Sequence, residues 1–524
     1  MLTEEQLAAV LNAVTGVERL ILVGDPRQLP PIGSGRPFVD IVARLEPNYS
    51  EGRFPRVDRG YAELTIRRRQ TGRSRDDLLL AEWFSGQTPG AGADEVWDRV
   101  ESRKDSETLR FVSWKDGDDL HDKLKDVLVE ELELGGLDDV SGFEQSLGGS
   151  PWGDNGWVFF WRGKYGEAGA AGKVEDWQIL TPVRGQAHGV YDLNRVVQRH
   201  FRKSTLERAT KQWRKIPRPF GAEEIVYGDK VINTANKNRK DVFPKDDALM
   251  YVANGEIGMV VGQYKGKRAA YRGLPWKLEV EFSSQPGISY GFGGGDFSRE
   301  GDSRLELAYA ITVHKAQGSE FGLTFLIFPS NAMLSRELLY TALTRQRNKV
   351  ILMHQGDVGE LRQHAGPGRS ETAQRLTNLF LPPVLVEVGG QFLEENLIHR
   401  TRRGEAVRSK SEVIIADLLY TKGFTEYLYE ARLVGRDGSV RYPDFTIDDE
   451  ETGQKVYWEH LGMMHDPEYR ARWEKKLAWF RDQHILPFEE GNGSNGTLVI
   501  TRDDEQGGIS SEQLEQRVDE VFGL

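Results

Sequence analysis

At 524 residues, 38% of them hydrophobic and with 12 Trp, 17 Tyr and 23 Phe, the chain is too long for one ordinary core and too apolar for wholesale disorder, so roughly two to four domains are expected. A net charge of -12 excludes a generally basic coat, yet a local channel of Lys and Arg can still grip nucleic acid. With no cysteine there are no disulfides and no thiolate zinc sites, and with an acidic start and no apolar run near the ~18 residues of a membrane span, the cytoplasm is the expected location and no membrane partner is expected.

Thr3 and Gln6 form a capping-box pattern ahead of LAAVLNAV, so the chain opens on a helix. Leu20 to Val23 is a short apolar run without alternation, the pattern of a strand covered on both faces in a parallel α/β sheet. The chain then meets Asp25 and turns rigidly through Pro30 and Pro31. WVFFW (157–161) and WQILTPV (177–183) read as strands. From about 220 to 285, GDKVINT, NGEIGMVVG and WKLEVEF are short strands with glycine turns, a small β-barrel-like insert, and GISYGFGGGDFSREGDSR after them is loop by composition. Helical patterns resume at LELAYAITVHKAQG and ELLYTALTRQR. Residues 361–408 turn polar, basic and poorly periodic, as a linker does. Beyond them SEVIIADLLY, EYLYEARL, RYPDFTI, KVYWEHLG and a Trp-rich helix make a separate α+β pattern.

Pro-Pro alone is a turn, but the whole string GDPRQLPP is rarer, and it resembles motif III of superfamily 1 helicases of the RecD-like and UvrD-like kind. The resemblance implies that Gln28 senses the terminal phosphate of ATP and that Asp25 lies at the nucleotide. Further strings follow in the family's order. Arg69, in ELTIRRRQ, resembles the motif IV arginine that reaches a nucleotide phosphate; taken alone, three adjacent arginines are more often a solvated face. AITVHKAQGSEF resembles motif V, which implies that Thr312, His314 and Lys315 face the DNA backbone while Gln317, Gly318 and Glu320 approach the nucleotide. YTALTRQR resembles motif VI, in which Arg345 acts as an arginine finger on the γ-phosphate, where a guanidinium suits the charge spread over the transferring oxygens. The family fold is a pair of RecA-like P-loop motor domains with ATP in the cleft between them and single-stranded DNA, or a duplex junction, across the top.

A phosphate cradle reads G-x-x-x-x-G-K-[ST], because glycine amides and a lysine must surround the β and γ oxygens. No such string occurs: the Gly-Lys pairs at Gly163, Gly172 and Gly266 are followed by Tyr165, Val174 and Arg268, none of which offers Mg2+ a hydroxyl at the right place. The Walker B Asp-Glu pair of the family would fall upstream of Met1. The expectation is a chain that begins partway through the first motor domain, its missing half supplied by a separate polypeptide, or lost through truncation or an incorrect start.

RYPDFTI, followed by Glu459 in YWEHLG, resembles the core of PD-(D/E)XK nucleases. Two carboxylates at adjacent strand ends, Asp444 and Glu459, can share Mg2+, which activates a water and stabilises charge on phosphorus; ordinary strand-end acids are the plainer alternative. Glu412 would be the additional acid of that fold. The pattern calls for Lys two positions after Glu459, where Leu461 stands, so Lys476 on the next helix is the candidate to orient the water. Without such a lysine the domain would bind DNA and leave it uncut.

The expected fold is therefore α/β: residues 1–70 the C-terminal part of a first RecA-like domain, 71–360 a second RecA-like domain with the β insert, 361–408 a linker, and 409–524 an α+β, restriction-endonuclease-like domain. The expected activity is that of the C-terminal part of an ATP-dependent DNA helicase with a nuclease-like domain, using ATP and Mg2+ in DNA processing, repair or antiphage defence. An ATP-incompetent DNA-binding module and a stand-alone Mg2+-dependent nuclease are the alternatives.

Overall fold

The computed structural model describes the chain except for residues 1, 48–56, 65–74, 91, 154–155, 165, 212–215, 247, 266–274, 298–302, 331–333, 450–453, 463, 465, 492, 504–509 and 524. Its backbone groups into two compact units. Met1–Ser106, Ala332–Thr344 and Val358–Leu524 form the first, and Glu107–Asn331 with Arg345–Asp357 form the second.

A five-stranded, all-parallel sheet organises the second unit, in the order Ala310–Thr312, Trp177–Thr181, Phe321–Phe328, Gln346–Gln355, Leu109–Trp114. Parallel neighbours need crossovers, and helices such as Gly117–Glu131 and Val190–Phe201 provide them. The first of these starts on Asp116, whose side chain accepts the Asp119 N–H, and it buries Leu120, Leu124, Val127 and Leu128 along one stripe. WQILT, with every residue buried, is the continuous apolar strand that such a two-sided sheet demands.

Beside it lies a six-stranded antiparallel sheet: Leu305–Leu307, Lys230–Asn233, Ile257–Lys265, Pro275–Phe282, Ser289–Gly293 and Val242–Phe243. Two expectations change here. LELAYAIT is not helical, because Leu305–Leu307 pairs with Lys230–Asn233 and Ala310–Thr312 pairs with Trp177–Thr181. A short apolar run fits either periodicity, and the two waiting sheet edges decide it. The glycine-rich stretch likewise contributes the strand Ser289–Gly293, whose small residues pair closely with Pro275–Phe282.

In the first unit the helix Glu4–Ala13 begins as expected, with both hydrogen bonds of the Thr3/Gln6 capping box present. The strand expected at Leu20 to Val23 does not form. Leu20, Ile21 and Val23 are 46%, 73% and 82% exposed, and no strand among the described residues pairs with them. A lone extended segment has nothing to satisfy its amides and carbonyls except water.

Residues 361–408 hold more structure than a linker needs. They include the short helix Glu371–Gln374 and the antiparallel pair Leu385–Val388 and Gln391–Glu394. Glu394 and the Thr372 carbonyl both bind the buried Arg36 guanidinium, which anchors this segment to the start of the helix Pro37–Leu45.

The C-terminal part of this unit is a mixed sheet in the order Leu428–Tyr429, Phe445–Asp449, Gln454–Leu461, Thr497–Arg502, Leu486–Pro487, antiparallel at first and parallel for the last two pairings. Alternation along Gln454–Leu461 sends Val456 and Trp458 into a core with the helices Lys410–Thr421 and Ser511–Phe522. It sends Tyr457 and Leu461 to the other face, against Tyr469, Trp473 and Phe480 of the helix Pro467–Asp482.

Candidate nucleotide, DNA and nuclease sites

In the first unit the GDPRQLPP turn is built around Asp25. Its Oδ1 accepts from Arg27 Nε at 2.8 Å, and its Oδ2 receives Gln28 Nε2 at 3.4 Å and the Tyr340 hydroxyl at 3.1 Å. Leu29 is fully buried, a burial worth about 2 kcal/mol, and its amide donates to Thr341 Oγ1 at 2.9 Å. Tyr340 and Thr341 lie in the helix Arg336–Leu343, which carries the start of YTALTRQR. Two strings singled out separately in the sequence thus meet through side-chain hydrogen bonds. Arg69 lies outside the described residues.

Arg345 follows that helix and belongs to the second unit, where it is 3% exposed and its Nη1 donates to the Ser319 carbonyl at 3.3 Å. The amide of Phe321 returns a hydrogen bond to the Arg345 carbonyl at 2.8 Å. Arg345 is therefore tied to the loop of Gln317, Gly318 and Glu320. Gly318 has φ +85, and a Cβ there would find open space, so glycine serves the left-handed turn rather than a close approach.

Thr312 ends its strand opposite Thr181, and its hydroxyl accepts the Lys315 amide at 3.2 Å. Lys315 Nζ lies 2.9 Å from Glu306 Oε2, and Arg184 holds the other carboxylate oxygen at 2.7 Å. His314 and Lys315 are partly exposed. Nearby, burial pushes the Glu223 carboxyl up to about 7, with Glu306 adding to the effect.

The acids of the C-terminal part come together at one end of its sheet. Phe445 pairs with Trp458, and one step beyond each stand Asp444 and Glu459. Asp444 Oδ2 accepts the His460 amide at 2.6 Å. Burial, reinforced by the charges of Glu459 and then Glu412, raises the Asp444 carboxyl well above the usual range. Burial also lifts Glu459 to about 7, although the Lys476 ammonium pulls the other way.

Lys476 Nζ lies 2.8 Å from Glu459 Oε1 and 3.0 Å from Asp94 Oδ2. Burial alone would lower its pKa, but Asp94 first and Glu459 second hold it above the ordinary lysine value, so the amine stays charged. Glu412 sits in the helix Lys410–Thr421, itself capped by Ser409, and accepts from the Tyr429 hydroxyl at 2.6 Å, the Arg408 amide at 2.9 Å and Thr88 Oγ1 at 3.2 Å. Leu461 is 2% exposed within the Tyr469/Trp473 cluster. Its place faces the helix that carries Lys476.

Sequence reasoning missed Asp94 and Thr88. Asp94 leads into the helix Glu95–Ser102, hundreds of residues from Lys476 in sequence, and no spacing rule connects them. Its Oδ2 also receives the Tyr442 amide at 3.3 Å, while the buried Oδ1 has no hydrogen-bond partner among the described residues. Among the described residues no group of three or more His, Asp and Glu side chains is arranged to hold a metal ion. Nor is any helix among them long and apolar enough to cross a membrane.

Comparison with known proteins adds a family context. Residues 307–353 match the UvrD-like helicase C-terminal domain, which spans the motif V string and Arg345. The ATP-dependent RecD2 DNA helicase of Deinococcus radiodurans is 34% identical over 351 residues, covering 67% of this chain and 34% of that protein. The RecBCD enzyme subunit RecD of Mycobacterium tuberculosis is 26% identical over 362 residues, 66% of this chain and 46% of that one. The uncharacterized protein MJ1519 of Methanocaldococcus jannaschii is 26% identical over 495 residues, 90% of this chain and 37% of its own length. Among solved structures, the Pif1 helicase of Candida albicans is 12% identical over 44% of this chain and 53% of that one, with a TM-score of 0.20. The chain spans between about a third and a half of the length of these curated relatives. Its motor-like part is related to the C-terminal part of superfamily 1 helicases.

Proposed function

We propose that this chain forms the C-terminal part of an ATP-dependent superfamily 1 DNA helicase or translocase carrying a PD-(D/E)XK-type nuclease domain, and that it unwinds and processes DNA in repair or in defence against foreign DNA. The observation that supports this most strongly is the joining of motif III to motif VI. Leu29 and Thr341, 312 residues apart, share a hydrogen bond, and Tyr340 reaches Asp25 beside them.

In this reading Gln28, Arg69 and Arg345 address the triphosphate, and Asp25, Gln317, Gly318 and Glu320 shape its surroundings. Thr312, His314 and Lys315 hold the DNA backbone, with Lys315 exchanging Glu306 for a phosphate oxygen. No Walker A string occurs in the 524 residues, so hydrolysis needs a cradle carried on another polypeptide segment.

The nuclease reading rests on the strained carboxylates. Asp444, raised by burial and then by the charges of Glu459 and Glu412, is in a setting that a divalent cation relieves, and Mg2+ commonly takes one or two carboxylates with the substrate's own oxygens. Asp444 and Glu459 would hold it, and it would supply an activated water and charge stabilisation at phosphorus. Lys476, kept charged, donates to the attacking water or the phosphate and is no base. Glu412, held by Tyr429 and the Arg408 amide, backs the pair.

Incubation of the purified chain with linear DNA and Mg2+ tests this directly. Cleavage that EDTA stops and Asp444→Asn removes is the expected result. Cleavage that continues at the original rate in Asp444→Asn would end the nuclease assignment.

A further inference from the structure

The strands Ser150–Trp152 and Trp157–Phe159 form a hairpin whose solvent face reverses ordinary amphipathicity. From Trp157 to Trp161 the inward positions, Val158 and Phe160, are 9% and 1% exposed. The outward positions are Trp157, Phe159 and Trp161, all aromatic where polar residues are usual. Trp152 stands directly across from Trp157. Trp152, Trp157 and Trp161 are 65%, 50% and 52% exposed. The Phe159 and Trp161 rings stack at 5.5 Å, and Trp152 lies 6.2 Å from each. So large a patch of open rings marks a surface that meets something.

Two further features indicate what it meets. The platform is rigid, because the Phe160 amide donates to Tyr227 Oη at 2.7 Å and that hydroxyl donates to the Phe160 carbonyl at 3.0 Å. It is also bordered by positive charge. Arg208, on the helix Lys203–Thr210, places its guanidinium 4.8 Å over the Trp157 ring. Lys203 on the same helix and Lys211 just past it are exposed, against the single acid Glu207. Flat rings with cations alongside complement the bases and phosphates of an unpaired strand, and stacking is indifferent to sequence.

We propose that Trp152, Trp157 and Trp161 form a stacking platform for single-stranded nucleic acid, with the helix Lys203–Thr210 supplying phosphate contacts. This rests on the reading that the chain handles DNA, and it adds a contact surface apart from Thr312, His314 and Lys315.

The test titrates the full chain into a fluorescein-labelled oligo-dT strand at several salt concentrations. Trp152→Ala/Trp161→Ala weakens binding about tenfold or more, with the salt dependence kept. Trp152→Phe/Trp161→Phe, which retains flat rings, restores most of it. Lys315→Ala instead lowers the slope of log affinity against log salt by about one. If the double alanine variant binds as tightly as the original chain while Lys315→Ala is weakened, the platform is overturned and the DNA reading survives. If the original chain does not bind the strand at all, both fail. If the alanine variant keeps its DNA affinity and loses self-association, the surface is a protein interface and the proposal falls.

Discussion

Oδ2 of Asp94 lies 3.0 Å from Nζ of Lys476, although the two residues come from opposite ends of the chain. Lys476 is 4% exposed, and its ammonium has Glu459 on its other side. A buried cation shared by two carboxylates depends on both. Asp94→Asn keeps the shape and removes the charge, and it is expected to cost about 3 kcal/mol in denaturant unfolding. In a Lys476→Met background the same change should cost less than about 1 kcal/mol, because the charge it served is gone. Equal costs in the two backgrounds would show that the pair is not energetically coupled.

Leu461 occupies the position where the nuclease pattern calls for lysine, and it is packed among Tyr457, Tyr469 and Trp473. Restoring the pattern by Leu461→Lys should therefore harm the protein. A second ammonium placed in that cluster, with Lys476 already taking the nearby carboxylates, is expected to cost about 3 kcal/mol or more. DNA cleavage should not rise. A variant of unchanged stability and higher cleavage would show that the strand, and not the helix, is the proper source of the lysine.

Glu223 gives the second unit a pH dependence of defined sign. Its carboxyl is pushed up to about 7 in the folded protein, chiefly by burial. Between the ordinary glutamate value and about 7 the folded state holds a proton that the unfolded state has released, so stability falls as pH rises through that window and levels off above it. The loss amounts to about 1–3 kcal/mol. Glu223→Gln removes that penalty. The variant should gain on the original chain in unfolding temperature between pH 5 and pH 8, and a constant difference would refute the assignment.

Much of the architecture was legible where local chemistry and tertiary demand agree. The Thr3/Gln6 box and the fully buried strand WQILT behave as their sequence patterns indicate. The failures have physical causes. LELAYAIT is too short to express a period, so the sheet edges beside it decide its form. Leu20 to Val23 has the composition of a buried strand, but composition does not supply a pairing neighbour. The polar segment 361–408 looked like a connection because the partners of its charges, such as Arg36 for Glu394, lie hundreds of residues away. Asp94 was invisible for the same reason.

ATP turnover by the 524-residue chain, measured with single-stranded DNA and Mg2+ and compared with Arg345→Ala, tests most directly the proposal that Gln28 and Arg345 serve a triphosphate whose cradle these residues do not themselves carry. The account predicts that both proteins stay at background. Vigorous turnover lost in Arg345→Ala would mean that these 524 residues hold a complete nucleotide site, and would contradict it.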